Sequence, residues 1–483
     1  MKQALIGRQS QIEYLQKYIA SDRSEFIAIY GRRRIGKTFL VKELFEGEFY
    51  FRVTGRDNVT TAEQLANFKY ALSDQLGLDV QPQNWMEAFR YLQSAVEDDA
   101  KKGAKIIFID ELPWFDTLRS DFISAFEHFW NDWASYRNDI KLIVCGSATT
   151  WMLDKVINSR GGLHNRVTHK MLLSPFSLKE VEQYFAANGF NYDRSEIIES
   201  YMCVGGVAYY LSLFENDKSV AQNIQSLCFT KGGELTDEFD KVFKSLFKKS
   251  ENHIDIITCL KNKGKGMTRL EIIADCGIKN NGRLSTILEE LEQCDFIRSY
   301  VPFGKQKKDK LYQLIDPFTL FYFRFMGKSG QYLDNYWLKM QSTPAYTTWC
   351  GYAFEIVCLH HVNEIVRALG IDGCINVPCS WSFKPSAQML DSDDEDLKKG
   401  TQIDLLIDRS DKSISICEMK YGTSEYEITK SYNEHLNQRL RIFKKVTKTK
   451  KSLIPTYITP HGLLQNAYSR KIARQVTGDD LFN

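Results

Sequence analysis

The first 150 positions alternate between short apolar runs and longer amphipathic segments. Four of the apolar runs have the length of a strand and are rich in β-branched and aromatic residues, which predicts four buried strands; they cover 25–30, 48–53, 105–111 and 141–147. Between them, residues 37–44 and 60–102 carry apolar residues at helical spacing. The N-terminal region is therefore predicted to be of the α/β class.

The pattern becomes mainly helical in the middle of the chain. Residues 177–245 predict a helical lid, and three further helices are predicted at 251–262, from the capping box Thr268–Glu271 and from about Asn281. Two short strands at 296–301 and 311–314 then flank the basic segment 304–310. Three helices followed by a basic hairpin predict a winged helix-turn-helix.

The last third of the chain has a third pattern. A helix through Trp349 and His360 carries Glu355 beside its apolar stripe. The acidic segment 391–396 is predicted to be a solvated surface loop. Two strands at 402–407 and 413–420 and a helix at 433–445 follow it. This part is therefore predicted to be a separate α/β region.

The strand at 25–30 runs directly into a segment that fits the phosphate-loop pattern G-x-x-x-x-G-K-[ST]. Its glycines let the backbone curl so that successive N–H groups point at one oxyanion, and the helix that starts at Lys37 adds its partial positive charge. Lys37 can reach the β- and γ-phosphates, and Thr38 can ligate Mg²⁺. The predicted nucleotide site consists of Gly31, Arg32, Arg33, Arg34, Ile35, Gly36, Lys37 and Thr38.

Two later strands end in polar residues that suit the same site. Asp110 is suited to the outer coordination of Mg²⁺, and Glu111 to polarising a water for attack on the γ-phosphate. Ser147 can hold that water or the γ-phosphate, or it can simply end its strand. Arg166, and less well Arg160, can neutralise charge in the transition state, either within one chain or across the subunits of a homo-oligomer. An exposed arginine is more often only solvated, so both alternatives stay open.

Several motifs together carry a family resemblance. They are G-R-R-R-I-G-K-T, F-I-D-E, V-C-G-S-A, the Asn165-Arg166 pair that precedes L-S-P-F, and G-G-V-A-Y-Y. Over residues 1 to about 230 the chain resembles the archaeal-type AAA-like ATPases found in prokaryotes, although Asn165 stands where that family usually has glycine. The resemblance implies ATP binding and a five-stranded parallel sheet, with an additional strand between the strands of the two Walker motifs.

In that family, the remainder of the chain is often a winged helix followed by a small domain of nuclease-like fold. The chain is therefore expected to hold four parts. They are an AAA-like ATPase core at 1–175, a helical lid at 176–245, a winged helix-turn-helix at 246–330 and an α/β restriction-endonuclease-like domain at 340–483.

The strand at 413–420 carries charge at the end of an apolar stripe. Strand alternation puts Glu418 and Lys420 on the face of Ile414 and Ile416, which is costly unless a cation or a reaction uses the charges. If a loop of three or five residues is centred on Asp411, Asp404 lies opposite Glu418, and both carboxylates can reach one Mg²⁺. A two-residue turn would instead put these two carboxylates on opposite faces.

The spacing D-x(13)-E-x-K, with Glu355 on a preceding helix, resembles the PD-(D/E)xK nuclease superfamily, although Ile403 replaces its proline. The resemblance implies Asp404, Glu418 and Glu355 as the metal-site carboxylates. Lys420 would orient a water or balance developing charge. The alternative is a degenerate nuclease fold used for docking, in which Glu418 and Lys420 form an ion pair.

Two basic surfaces are candidates for binding DNA. In the winged helix, Lys279 and Arg283 would lie in a groove and the lysines of 304–310 on phosphates, although three glutamates share the candidate recognition helix. The helix at 433–445 ends in Arg439-Leu-Arg-Ile-Phe-Lys-Lys445 and is the best basic patch in the chain. Winged helices also serve as protein-docking modules, so both uses stay open.

Composition narrows these alternatives only slightly. A net charge of +2 means that any nucleic-acid surface must be local. No run reaches the ~18 apolar residues of a membrane span, and the N-terminus lacks a signal sequence, which favours a cytoplasmic protein with no membrane partner. The eleven cysteines show no C-x-x-C pairing, which predicts buried thiols and disfavours zinc.

Two functional hypotheses follow. The leading one is an ATPase with Mg²⁺ as cofactor that couples ATP hydrolysis to the action of winged-helix and nuclease-like modules on DNA. The alternative is a regulatory nucleotide switch whose C-terminal modules bind proteins and cut no nucleic acid.

Overall fold

The computed structural model describes residues 5–101, 103–147, 149–158, 161–247, 250–327, 335–390 and 394–483. The chain divides into two compact units. The first consists of Met1–Pro175 with Val242–Lys248, and the second of Phe176–Lys241 with Lys249–Asn483. Most of the predicted lid therefore groups with the C-terminal part of the chain.

A five-stranded parallel sheet forms the centre of the first unit. Its strands are β1 (Glu25–Tyr30), β2 (Phe49–Thr54), β3 (Lys105–Asp110), β4 (Ile140–Gly146) and β5 (His169–Leu172). They lie in the order β2-β3-β4-β1-β5, so β4 separates the strand of the phosphate loop from the strand that ends in Asp110. This order confirms the additional strand that the family resemblance implies.

Apolar clusters cover both faces of this sheet. Alternate residues of β1 enter different clusters: Phe26 and Ala28 join one, and Ile27 and Ile29 join the other. Strands that are buried on both faces are characteristic of a parallel sheet between helices. The helices of this unit are α1 (Gln9–Ile19), α2 (Lys37–Leu44), α3 (Thr61–Leu76), α4 (Trp85–Asp98), α5 (Phe122–Asn131) and α6 (Thr149–Trp151).

The second unit begins with the helices of the predicted lid. They are α7 (Leu178–Ala187), α8 (Arg194–Val204), α9 (Ala208–Leu211), α10 (Val220–Ile224) and α11 (Glu238–Leu246), of which the last crosses the boundary between the units. A capping box of Ser177 and Glu180 starts α7, and the helix buries Leu178, Val181 and Phe185.

Three helices and a small antiparallel sheet come next. They are α12 (Glu251–Leu260), β6 (Met267–Thr268), α13 (Arg269–Cys276), α14 (Gly282–Gln293), β7 (Ile297–Tyr300) and β8 (Leu311–Leu314), with strand order β6-β8-β7. The capping box of Thr268 and Glu271 opens α13, and α14 buries the apolar residues Leu284, Ile287, Leu288 and Leu291. The three helices and the two strands β7 and β8 follow one another in the predicted order, and the short strand β6, which was not predicted, lies between α12 and α13.

Two cysteines in this region differ from the prediction of buried thiols, because Cys259 of α12 and Cys276 of α13 are only partly buried. Their sulfur atoms lie close together, and the sequence carries no signal for this proximity, because the two residues are 17 positions apart and meet only when the two helices pack together. Of the other nine cysteines, all except Cys374 are buried.

A mixed five-stranded sheet ends the chain. The remaining elements are α15 (Pro317–Phe321), α16 (Tyr336–Met340), α17 (Pro344–His360), α18 (Val362–Ala368), β9 (Asn376–Phe383), α19 (Ala387–Leu390), β10 (Thr401–Arg409), β11 (Ser413–Met419), α20 (Lys430–Thr447), β12 (Ser452–Thr459) and β13 (Arg474–Thr477). The strands lie in the order β13-β12-β11-β10-β9. β9, β10 and β11 pair antiparallel, β11, β12 and β13 pair parallel, and α20 connects β11 to β12.

Among the described residues, no helix combines the length and apolar character needed to cross a membrane.

Candidate nucleotide site and carboxylate cluster

The loop between β1 and α2 has the backbone conformation that a phosphate cradle requires. Gly31 has φ 140° and Gly36 has φ 91°, and both values lie in the region that favours glycine. A Cβ atom on Gly31 would stand 2.2 Å from the carbonyl oxygen of Leu173. The loop is therefore closely packed against the segment after β5, and its first position accepts only glycine.

The ammonium of Lys37 is folded onto the loop. It donates hydrogen bonds of 2.8 Å to the carbonyl oxygens of Gly31 and Arg32, and its side chain is buried. Arg8 donates to the carbonyl oxygen of Ile35 at 3.3 Å, which ties the segment before α1 to the same loop. These contacts put two cationic side chains on the loop where phosphate charge would have to be neutralised.

Thr38 and Asp110, the two residues predicted to bind Mg²⁺, lie side by side. The Thr38 hydroxyl donates to Oδ1 of Asp110 at 3.0 Å across a separation of 72 residues. Burial and then the charge of Glu111 raise the pKa of Asp110 to about 6. A cation at this position would lower that pKa, so the chemistry of the pair fits a divalent metal.

Glu111 and Ser147 are also brought together. The Ser147 hydroxyl donates to Oε2 of Glu111 at 2.9 Å, and its backbone N–H donates to the same oxygen at 3.2 Å. Both residues follow the carboxyl ends of neighbouring parallel strands, β3 and β4, which explains their proximity. Ser147 thus contacts Glu111, the carboxylate that is predicted to activate water.

The structure brings neither of the two predicted arginines into a described contact with the nucleotide site. Arg166 is exposed in the segment that leads into β5, and its role stays a prediction. Arg160 lies outside the described residues.

The register of the hairpin in the C-terminal sheet answers the question that the sequence leaves open. Leu405 pairs with Cys417 and Leu406 with Ile416, so the three-residue loop between β10 and β11 is centred on Asp411. Continuing this register by one residue places Asp404 opposite Glu418. The ladder from β10 to β9 has an irregularity between Ile403 and Leu406, which lies beside Asp404. Bulges of this kind re-aim side chains near functional sites.

A third carboxylate belongs to the same region. Glu355 of α17 has its pKa raised to about 8, first by burial and then by the charge of Asp404, while Lys420 acts in the opposite direction and Glu418 in the same direction. The four residues predicted from the nuclease-like spacing therefore interact electrostatically, and we name them the carboxylate cluster: Glu355, Asp404, Glu418 and Lys420.

Basic and phenolic groups already occupy the oxygens of Glu418. Arg439 of α20 forms an ion pair with Oε1, and the Tyr432 hydroxyl donates to Oε2 at 2.6 Å. The Lys420 ammonium lies 5.2 Å from the centre of the Tyr432 ring. Among the described residues, the ion pair of Glu418 is with Arg439, whereas the docking alternative predicts one with Lys420. Arg439 belongs to the basic patch predicted to bind DNA, but its side chain is only 14% exposed.

The carboxylate cluster differs from the expected metal set in one respect. In the part of the chain that the structure describes, no three His, Cys, Asp or Glu side chains are close enough together to hold a metal ion. Glu355, Asp404 and Glu418 therefore do not form a ready three-carboxylate site. Glu418 instead contacts Arg439 and Tyr432, which the sequence pattern does not reveal because they lie 21 and 14 residues away in the sequence.

Residues 5–214 match the family described as an ATPase domain predominantly from Archaea. An uncharacterized protein of Methanocaldococcus jannaschii is 26% identical over 373 residues, which are 74% of this chain and 77% of that protein. A Walker-type ATPase of Pyrococcus abyssi has a similar structure, with a TM-score of 0.48, 16% identity and coverage of 65% of this chain and 95% of that one. The ORC2 protein of Aeropyrum pernix has a TM-score of 0.42 and 15% identity, with coverage of 71% and 97% respectively.

Proposed function

We propose, on the premise that residues 5–214 form an ATPase domain of the family found predominantly in Archaea, that this protein hydrolyses ATP at the loop Gly31–Thr38. The observation that carries the proposal is the contact between Thr38 and Asp110 at 3.0 Å. It joins the end of the phosphate loop to the end of β3, where a phosphate-bound Mg²⁺ needs its protein ligands.

Each residue of the site then has a distinct task. The N–H groups of the loop and the Lys37 ammonium bind the phosphates, and Thr38 and Asp110 would hold Mg²⁺, which supplies charge neutralisation. Glu111 accepts hydrogen bonds from Ser147 and is held beside the site, where it orients and polarises the attacking water. Arg166 is assigned to the neutralisation of the transition state.

Two substitutions separate binding from hydrolysis. Lys37→Ala removes the phosphate-reaching charge, and we expect ATP affinity to fall at least about 100-fold in isothermal titration. Glu111→Gln should keep the affinity and lower turnover at least about 100-fold, because only water activation is affected. Lys69→Ala, the same change on α3, is the control. Unchanged ATP affinity in the Lys37 variant would refute the site.

The second part of the proposal is that the C-terminal sheet acts on DNA through a metal-dependent site. What favours this function is the carboxylate cluster, in which a carboxyl of pKa about 8 shares its surroundings with two further carboxylates and a lysine. Asp404 and Glu418 would hold the metal, which would polarise the phosphodiester, and Lys420 would orient a water. The competing function is protein docking, with Arg439 on Glu418 as a permanent structural pair.

The assay is incubation of the full chain with linear and supercoiled DNA and Mg²⁺ or Mn²⁺, with and without ATP. Asp404→Ala should abolish both DNA cleavage and stabilisation of the protein by Mn²⁺, while ATP hydrolysis continues. Asp408→Ala, four residues along the same strand and bonded to Lys451, is the matched control. Intact DNA and no metal-dependent stabilisation in the unaltered protein would favour docking.

A further inference from the structure

The acidic segment before β10 lies on the basic helix α20. Oδ1 and Oδ2 of Asp394 accept hydrogen bonds of 2.9 and 2.8 Å from the Lys445 ammonium. Asp396 accepts two bonds from the Arg441 guanidinium at 3.1 and 3.2 Å, one from Lys445 at 3.2 Å and one from Gln438 at 3.3 Å. Asp394 and Asp396 of the predicted surface loop are therefore bound to the helix and not simply solvated, whereas residues 391–393 lie outside the described residues.

These contacts are specific to two of the three acidic side chains that the structure describes here. The hydrogen bond from Arg441 holds the pKa of Asp396 well below its usual range, and that from Lys445 lowers the pKa of Asp394. Glu395, between them, is instead paired with Lys398 and is 78% exposed on its side chain. Asp394 and Asp396 thus face α20, whereas Glu395 between them does not.

Apolar residues on both sides anchor the segment. Met389 and Leu397 pack on the cluster formed by the C-terminal sheet with Ile442 and Phe443 of α20. Asp394 and Asp396 therefore lie, in the sequence, between two apolar residues, Met389 and Leu397, that pack on the folded domain.

The loop between β7 and β8 reaches the same place. The ring centre of Phe303 lies 5.3 Å from that of Phe443, and the Phe303 N–H donates to the carbonyl oxygen of Ser380 at 2.9 Å. The exposed residues 304–308 that follow include Lys305, Lys307 and Lys308. These lysines and the exposed basic residues Arg441, Lys444 and Lys445 therefore flank one shared apolar contact.

We propose that α20 and residues 304–308 form one surface for the phosphate backbone of duplex DNA, and that Asp394 and Asp396 occupy it in the absence of DNA. The inference rests on the proposed action on DNA. It specifies the surface that binds the DNA backbone, and it assigns Asp394 and Asp396 as groups of the same chain that compete with DNA for that surface. DNA must displace the acidic segment from Arg441 and Lys445, so the segment lowers affinity for every sequence alike.

The test is duplex binding by fluorescence anisotropy in EDTA, which prevents metal-dependent cleavage. Asp394→Asn with Asp396→Asn should raise affinity about tenfold, the size expected when a few exposed ion pairs no longer compete. The plot of log affinity against log salt should steepen, because salt also weakens the competing ion pairs of the unaltered protein and thereby offsets part of its loss of affinity.

Two controls make the result specific. Glu215→Gln with Asp217→Asn changes the net charge equally, away from α20 in the sequence, and should leave the affinity within about twofold. Arg441→Ala with Lys445→Ala, added to the Asp394/Asp396 variant, should remove the gain. Circular dichroism and thermal unfolding of every variant report whether the C-terminal sheet is folded.

The outcomes separate this inference from the function on which it rests. Binding or cleavage of DNA by the unaltered protein, with no gain and no steeper salt dependence in the Asp394/Asp396 variant, overturns the inference alone. ATP hydrolysis without DNA binding by either protein rejects DNA as the partner. Tighter binding of polyglutamate than of duplex by the variant would assign the surface to acidic protein segments and overturn the inference.

Discussion

The Ser147 hydroxyl and the Glu111 carboxylate form a hydrogen bond of 2.9 Å at the carboxyl edge of the parallel sheet. The same carboxylate oxygen also accepts the Ser147 N–H, so one residue donates twice to the group that is to activate water. Ser147 therefore orients the proposed catalytic carboxylate.

Removing this hydroxyl should affect turnover more than binding. In Ser147→Ala, the backbone donor remains but the stronger side-chain bond is lost, so we expect kcat to fall about tenfold with ATP affinity within about twofold. Steady-state hydrolysis and isothermal titration measure the two quantities. Ser124→Ala on α5 is the control, and an equal loss in affinity would instead point to contact with the nucleotide.

Arg166 can act within its own chain or on a neighbour, and one mixing experiment distinguishes the two. Arg166→Ala should lower turnover about 100-fold or more if its charge neutralises the transition state. Mixing it with Glu111→Gln protein should restore part of the activity if the arginine acts across subunits, since one interface is then complete. Loss without rescue assigns the arginine to its own chain, and unchanged turnover removes it from the site.

Glu355 should give the protein a characteristic pH dependence of stability. Its pKa is raised from 4.5 to about 8, so between these values the unfolded chain loses a proton that the folded chain keeps. Stability should therefore fall as pH rises from about 5 to 8, by about 2 kcal/mol after allowance for partial exposure, and then level off. Glu355→Gln should flatten this decline in denaturant titrations, whereas the exposed control Glu434→Gln should not.

The Arg439–Glu418 pair is expected to oppose metal binding. Arg439→Gln leaves the buried Glu418 carboxylate without its cation, which should destabilise the metal-free protein by about 2 kcal/mol or more. The same change should strengthen stabilisation by Mn²⁺, because the cation no longer competes with the guanidinium. Thermal shifts with and without Mn²⁺ measure both effects. A destabilised variant that gains nothing from Mn²⁺ would show that the pair is structural.

The features of this protein that the sequence predicts correctly are mostly set by residues close together in the chain. The phosphate loop is eight consecutive residues between an apolar strand and a helix, so its conformation at Gly31–Thr38 follows from neighbours in sequence. The hairpin register also follows from the sequence. The number of residues between Asp404 and Glu418 places them opposite each other once the loop is centred on Asp411. Strand and helix periodicity likewise predicts the elements themselves, with ends that differ by a few residues.

The sequence alone thus determined which residues could form the nucleotide site and the carboxylate cluster, because backbone geometry and side-chain alternation are local properties. Only the tertiary structure decided what those residues touch. Arg439 reaches Glu418, Asp396 covers Arg441, and Cys259 meets Cys276 because packing brings distant helices and loops together. A charged side chain is free to bind solvent, a ligand or another side chain, and which of these it binds depends on the neighbours that the folded apolar core supplies.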